Sequence, residues 1–320
     1  MKTLKWGLVG CGDIARKRVA PALRDLETCD LHAVARLHAN LAESFGREYS
    51  AQTWYRDWRD LVKDPEIDAV YIATPVYLHA EQTIEAARAG KHVLCEKPMA
   101  MNTKECDKMI KACEANRVKL GIAYYRRFYP ILERIKEILQ SGEIGEPVIA
   151  DVQALRWFNR KPGEPRHWLL EKTKAGGGPM MDFGCHRIEV LQNLFGPIHD
   201  VKSNIMNLYF EREVEDTAFV SLLFKSHVHA MLQVTDAVKE DRDTLDIYAT
   251  RGTLFIPVLN ESALIVKTFQ EERTEQLPRH ENAHLPLIRE FTESVFQDRQ
   301  PAVSGSDGKN VTKILDKIYQ

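Results

Sequence analysis

The sequence predicts an α/β protein in two parts: a doubly wound parallel sheet, then an α+β domain built on a largely antiparallel sheet. Three observations predict it. Over the first 123 residues, short apolar runs alternate with stretches of helical periodicity, the pattern of crossover units with helices on both faces of a sheet. Between 201 and 268, strand-like runs follow one another across short polar links with no helix between them. A length of 320 residues suits two cores.

WGLVG (6–10) is the first strand, and a helix over 13–26 carries Pro21 inside it. LHAVAR (31–36) is the second strand, followed by a helix near 39–49; the aromatic stretch WYRDW (54–58) reads as a packed helix start. AVYIAT (69–74) with a helix over 77–89, HVLCE (92–96) with a helix over 102–115, and VKLGIAY (118–124) complete a first domain, 1–123. The second domain, 124–320, begins with a helix over 128–141 and a long strand, PVIADVQALRWF (147–158). A polar loop (159–175) then runs through three glycines into a helix carrying Asp182 and His186. TAFVSLLF, HAMLQVTDAV, LDIYAT and GTLFIPV supply the antiparallel strands, and helices over 284–298 and 306–319 come last.

Composition excludes several functions. Apolar residues make up 44% and charged residues 28%, with a formal net charge of −2, so no basic field points to nucleic acid or an anionic membrane. No apolar run approaches the roughly 20 residues that span a bilayer. MKTLKWGLVG leads straight into a strand without a signal-peptide pattern, and the six cysteines form no CxxC pair, so they read as reduced thiols of a cytoplasmic protein. His227 and His229 alternate as on one strand face, but no third metal ligand lies nearby in sequence, and a sheet face or subunit interface is the better reading; no metal is expected.

Two stretches carry chemistry. GLVGCGDIA sets Gly10, Gly12 and Ala15 in a G-x-G-x-x-A pattern between the first strand and helix. Gly10 permits the tight turn, Gly12 lets backbone approach a pyrophosphate, and Ala15 lets helix and strand pack closely; the amides of Gly12, Asp13 and Ile14 then face an anion. Strand two ends in Arg36, with His38 nearby, where a carboxylate would bond the ribose hydroxyls of NAD. Arg36 can instead pair with a 2′-phosphate, which favours NADP and leaves NAD open. Thr74 and Pro75 end strand three beside the same crevice, and His79 beyond them suits a structural hydrogen bond as well as a substrate role.

Glu96, Lys97 and Pro98 end the strand HVLCE. Pro98 presses Lys97 towards an extended backbone, a rigid presentation for a lysine able to stabilise an oxyanion or pass a proton. On the tripeptide alone, a surface salt bridge is the preferred reading of the pair. In GGGPMMDFGCHRIEV, Asp182 and His186 stand four apart and share a helix face. Met181, Gly184, Ile188, Leu191 and Phe195 form a core stripe; Asp182, His186, Glu189 and Asn193 form a polar stripe that could simply be solvated.

Taken in order, GLVGCGDIA, IATPVYLHA, GKHVLCEKPMA, YYRRFYP and AGGGPMMDFGCHRIEVL resemble the Gfo/Idh/MocA family, the glucose–fructose oxidoreductase and inositol dehydrogenase group. The likeness runs nearly end to end, and the EKP motif with GGG…D…G.H is its specific part. It implies an N-terminal NAD(P)-binding Rossmann domain, a C-terminal open-faced sheet domain for substrate binding and oligomerisation, and a substrate cleft between them. It also implies Lys97, Asp182 and His186 as the catalytic residues. His186 is then the acid/base for a secondary hydroxyl or carbonyl on a sugar, cyclitol or related polyol, assisted by Lys97, with Asp182 orienting and charging His186 or binding substrate. Tyr125 and Arg126 are expected to line the cleft, Glu96 and Lys97 to touch the cofactor, and Gly176, Gly177 and Gly178 to bring backbone close to cofactor or substrate and start the helix. A homo-oligomer, dimer or tetramer, through the open C-terminal sheet is expected, since exposed sheet faces with apolar content invite association. Several relatives carry Trp-Arg eight and seven residues before the triple glycine; here the pair is Trp168-Leu169, and Arg166 is the available substitute. A cofactor-binding sensor without turnover, and reduction of an imine or a non-carbohydrate substrate, are the competing functions.

Overall fold

The computed structural model describes residues 2–320. They fall into two compact units, residues up to Tyr125 with Glu281–Thr312, and Arg126–His280 with Lys313–Gln320.

In the first unit, β1 (Leu4–Val9), β2 (Cys29–Ala35), β3 (Thr53–Tyr55), β4 (Ala69–Ile72), β5 (His92–Cys95) and β6 (Leu120–Ile122) form one parallel sheet. Its order is β3-β2-β1-β4-β5-β6, so the direction of winding reverses between β1 and β4. The strands are buried almost continuously, as a sheet covered on both faces requires, with Leu8, Val34, Val70, Ile72, Val93 and Leu94 fully buried. The helices are α1 (Ala20–Asp25), α2 (Ala39–Glu48), α3 (Trp58–Lys63), α4 (His79–Arg88) and α5 (Thr103–Ala115).

Three details differ from the sequence-based expectation. The first helix is not regular: a π-turn, Ala15–Val19, precedes α1, and the Ala20 N–H reaches the Ala15 carbonyl. Pro21 explains it, since it lacks an N–H and its ring crowds the carbonyl four residues back, which the wider turn relieves. Trp54 and Tyr55 belong to edge strand β3, paired with β2, and the helix starts only at Trp58, where the Asp57 carboxylate accepts the Arg59 N–H. A Thr-Trp-Tyr run suits a half-buried pleat better than a helical turn. Finally, residues 281–312 belong with the first unit rather than with a domain spanning 124–320. Phe291 of α9 (Leu285–Phe296) stacks on Trp6 at 5.5 Å and covers Gly121, where a Cβ would lie 2.7 Å from its ring.

In the second unit, α6 (Pro130–Ser141) starts on Pro130 and ends at left-handed Gly142 (φ +69°), the usual division of labour between these residues. β7 (Pro147–Trp157) is followed by the short α7 (Lys172–Ala175) and by α8 (Cys185–Phe195). The strands β8 (Ile198–Met206), β9 (Thr217–Phe224), β10 (His229–Thr235), β11 (Ala237–Asp243), β12 (Leu245–Ala249), β13 (Gly252–Ile256), β14 (Ala263–Thr268) and β15 (Glu272–Gln276) complete a nine-stranded sheet. Its order is β15-β14-β13-β12-β7-β10-β9-β8, with β11 also paired to β7. β7 and β10 are its parallel pair; the other pairings are antiparallel. Ala150, Val152, Val220, Leu222, Ala230 and Leu232 line the buried face, while Ile149, Phe219, Met231 and Tyr248 stand 40–46% exposed on the other. The last helix, α10 (Gly305–Ile318), begins in the first unit and ends in the second.

His227 does not share a strand face with His229: it sits in a left-handed turn (φ +68°) before β10, and His229 bonds Ser221 at 2.6 Å. Among the described residues, no cluster of three or more His, Cys, Asp or Glu could hold a metal, and no helix is long and apolar enough to cross a membrane.

Candidate active site

The glycine turn after β1 contains two glycines with different reasons. Gly10 has φ +94°, and a Cβ there would lie 2.7 Å from the Ala73 carbonyl oxygen. Its own N–H bonds the Ala35 carbonyl at 3.0 Å. Gly12 is different: a Cβ there would meet nothing within 4 Å. No protein atom demands glycine at 12, so the open space beside it is available to a ligand. Ala15 is fully buried where helix meets strand. Arg16 N–H bonds the Gly12 carbonyl at 3.1 Å, so the amides of Asp13, Ile14 and Ala15 precede the helical ladder. Gly12→Ala is therefore expected to melt within about 1 °C of the parent, in a thermal scan without added dinucleotide, while weakening dinucleotide binding.

Arg36 leans over this turn. Its Nη1 donates to the Cys11 carbonyl at 3.2 Å, and its backbone N–H bonds Tyr55. His38 is exposed at the start of α2, with no side-chain capping bond. Asp13 pairs with Lys17 at 2.9 Å on the surface, and Ile14 is half-buried.

Thr74 donates from Oγ1 to Gln82 at 2.7 Å. His79 is 1% exposed and lies between the carbonyls of Thr74 (2.8 Å) and Pro98 (3.0 Å), tying together the ends of β4 and β5. Burial pulls its pKa below the ordinary histidine value, against the opposing pull of the two carbonyls. This is the structural hydrogen-bonding role.

Glu96 is no surface partner. It is 6% exposed and accepts from Tyr71 Oη (2.9 Å), His284 Nε2 (3.2 Å) and the Lys97 N–H (3.2 Å). Burial alone would raise its pKa; His284, Lys97 and Tyr71 outweigh it and hold the carboxyl below the usual range. Lys97 is half-buried, and the Lys97–Pro98 peptide is cis. The Tyr125 ring stacks on His284 at 4.7 Å. His284 escapes sequence reasoning because it lies 188 residues from its carboxylate partner, and no spacing rule links them.

In the second unit, the structure corrects the purpose of the three glycines. Gly176 is the left-handed cap of α7 (φ +80°). A Cβ on Gly177 would overlap the Tyr319 hydroxyl, and one on Gly178 would overlap the Glu215 carbonyl oxygen. Protein packing, rather than approach to a cofactor or substrate, explains these residues. The Glu215 carboxylate accepts from Tyr319 Oη (2.7 Å), the Gly178 N–H (2.8 Å) and the Met180 N–H (3.2 Å), and so caps the helical segment that follows. Burial pushes this carboxyl up, while those bonds oppose the shift.

That segment opens as a π-turn, Met180–Gly184, before α8, so Asp182 and His186 stand one wide turn apart. His186 is 3% exposed. Asp182 Oδ2 accepts from Arg156 Nη2 at 2.9 Å and from Arg166 Nη2 at 3.4 Å. Arg156 also bonds Asp236 at 2.7 Å and lies over the Phe183 ring at 4.0 Å. The polar stripe is not solvated: Glu189 is 1% exposed and paired with Arg127 at 2.6 Å, and Asn193 accepts from Lys136 at 2.7 Å. Met181, Ile188, Leu191 and Phe195 are buried, as the core stripe requires.

Arg126, expected to line a cleft, is 5% exposed with its charge 3.8 Å from Asp243, which Arg187 and Asn260 also bond. Trp168 packs on the cluster of Phe158, Leu169, Leu170 and Val214. Leu169 is thus a core residue, and an arginine there would be buried. Arg156 had a signal in the sequence, a positive charge inside a mostly apolar strand whose other charge is Asp151; Asp236, Glu215 and Tyr319 had none.

A six-stranded parallel sheet whose winding reverses beside a glycine turn defines the class of the first unit: a Rossmann fold. Residues 4–124 match the model of the Gfo/Idh/MocA oxidoreductase family, NAD-binding Rossmann fold, and residues 132–255 match its C-terminal domain. The chain belongs to the Gfo/Idh/MocA family. It is 26% identical over 317 residues to a myo-inositol 2-dehydrogenase of Thermotoga maritima, covering 96% of this chain and 92% of that protein. It is 29% identical over 309 residues to a 1,5-anhydro-D-fructose reductase of Ensifer adhaerens, covering 95% and 92%. Among solved structures, aldose-aldose oxidoreductase from Caulobacter crescentus, complexed with glycerol, superposes with a TM-score of 0.91 at 26% identity, over 99% of this chain and 97% of that one.

Proposed function

We propose that the protein interconverts a secondary alcohol and a ketone on a sugar, cyclitol or related polyol, using a nicotinamide dinucleotide with NADP preferred. The observation that carries this reading is His186, buried one turn from a carboxylate that two guanidiniums fix in place. Histidine exchanges protons near neutral pH, so His186 takes the hydroxyl proton in oxidation and returns it in reduction. Lys97 assists by holding negative charge on the same oxygen, its backbone fixed between buried Glu96 and Pro98. Asp182 keeps the imidazole face oriented.

Gly10, Gly12, Asp13 and Ile14 would hold the dinucleotide's pyrophosphate, Arg36 and His38 its adenosine ribose, and Thr74, Pro75, Glu96 and Lys97 its nicotinamide half. The open space at Gly12 supports that fit. When bound, the nicotinamide supplies or accepts the hydride. Tyr125, Arg126, Arg166 and Trp168 complete the proposed substrate set, Arg126 and Trp168 acting from within the packing. The exposed Ile149, Phe219, Met231 and Tyr248 support subunit contact through the open sheet face, and six free cysteines support a cytoplasmic protein.

The test is a fluorescence titration with NADPH and with NADH. NADPH is expected to bind about tenfold tighter or more, and Arg36→Gln to remove most of that preference. Equal or tighter NADH binding would reverse the cofactor preference and leave the oxidoreductase reading intact. Binding of neither would overturn the dinucleotide site.

A further inference from the structure

The second unit contains a chain of alternating charges that ends in the open. Arg212 bonds Asp236 at 2.9 Å, Asp236 bonds Arg156 at 2.7 Å, Arg156 bonds Asp182 at 2.9 Å, and Asp182 meets Arg166 at 3.4 Å. Three guanidiniums thus face two carboxylates, which leaves one positive charge over. The two ends differ. Arg212 is sealed, its side chain 5% exposed and donating to the carbonyls of Phe158, Val214 and Glu215. Arg166 is open, its side chain 43% exposed.

Arg166 is also held unusually. Its backbone is left-handed (φ +69°), a conformation that a residue with a Cβ seldom adopts and that persists where the surroundings impose it. Its guanidinium lies 4.9 Å from the Phe158 ring centre, with Arg156 at 4.8 Å and Arg160 at 5.1 Å around the same ring. Phe158 is 4% exposed, so the platform is fixed. A stacked guanidinium offers a planar fork of donors whose geometry matches a carboxylate. A neutral polyol makes no such demand. The surplus charge sits beside Asp182, whose Oδ2 already serves two arginines, and one turn from His186.

We propose that the substrate is a sugar or polyol acid, its carboxylate bound by Arg166 with Arg160 adding to the field. This rests on the acid/base reading of His186, since it places the anion within reach of that residue's turn.

The test uses matched pairs that differ in the acid group: D-glucuronate with D-glucose, D-galacturonate with D-galactose, and D-gluconate with D-glucitol. Each is titrated calorimetrically into the full chain, with NADPH and with NADH present. The acid of at least one pair is expected to bind about tenfold tighter than its neutral partner, and to weaken as salt is raised. Arg166→Gln should erase the difference; Arg88→Gln, an exposed arginine of α4 paired with Glu85, should preserve it. The proposal is overturned if neutral members bind as well as acids, if no acid binds at millimolar concentration, or if Arg166→Gln keeps the discrimination. Turnover of neutral polyols alone would overturn the anion and leave the oxidoreductase reading standing, whereas full turnover by His186→Ala would remove that reading instead.

Discussion

Gly178→Ala is expected to destabilise the protein by about 3 kcal/mol or more, at the upper end of single-substitution effects. The added methyl would overlap the carbonyl oxygen of Glu215 and come within 3.0 Å of its carboxyl carbon. The first obstacle is backbone, so no side-chain rotation clears it. Moving the Glu215 segment would break three bonds at once, from Tyr319, Gly178 and Met180. Each leaves a buried polar group short of a partner. In a chain of this size the melting temperature should fall by roughly 6–12 °C. Gly177→Ala should cost less, because its obstacle is the tip of the Tyr319 side chain, which can shift. A Gly178→Ala protein melting within about 2 °C of the parent would show that the Glu215 backbone yields without losing those bonds.

His186→Ala is expected to lower kcat by about 10²–10⁴, the span a positioned acid/base supplies, or about 3–5 kcal/mol in activation free energy. Dinucleotide affinity should change little, since the proposed dinucleotide residues all lie in the first unit. Removing a buried imidazole also leaves a cavity, so the melting temperature is measured in parallel to separate lost chemistry from lost structure. Unchanged turnover would end the acid/base assignment for His186.

Much of this protein was legible because local signals agreed with one another. Strand–helix alternation, the turn at Gly10 and Gly12, the buried stripe of α8 and the antiparallel run after residue 200 each depend on neighbours a few residues away, and each matches an element of the structure. What was misread depended on distant partners. The triple glycine looked like a ligand approach, but Gly178 faces a residue 37 positions away and Gly177 faces Tyr319 near the other end of the sequence. On their tripeptide alone Glu96 and Lys97 read as a surface pair, because His284 was invisible from the motif. On its spacing alone the polar stripe of α8 could be solvated; its partners Lys136 and Arg127 come from α6 and the turn before it, out of view of the motif. Residues 281–312 looked like part of the second domain because sequence order hides the return of Phe291 to Trp6.

The contrast between Gly10 and Gly12 reaches beyond this one chain. The fold itself holds Gly10 in place through the Ala73 carbonyl, whereas nothing in the polypeptide holds Gly12. In a descendant that lost its dinucleotide, Gly12 would be released to drift while Gly10 stayed under purifying selection. If Gly12 holds the dinucleotide as proposed, the second glycine of the motif is a record of occupancy, and the first only a record of ancestry.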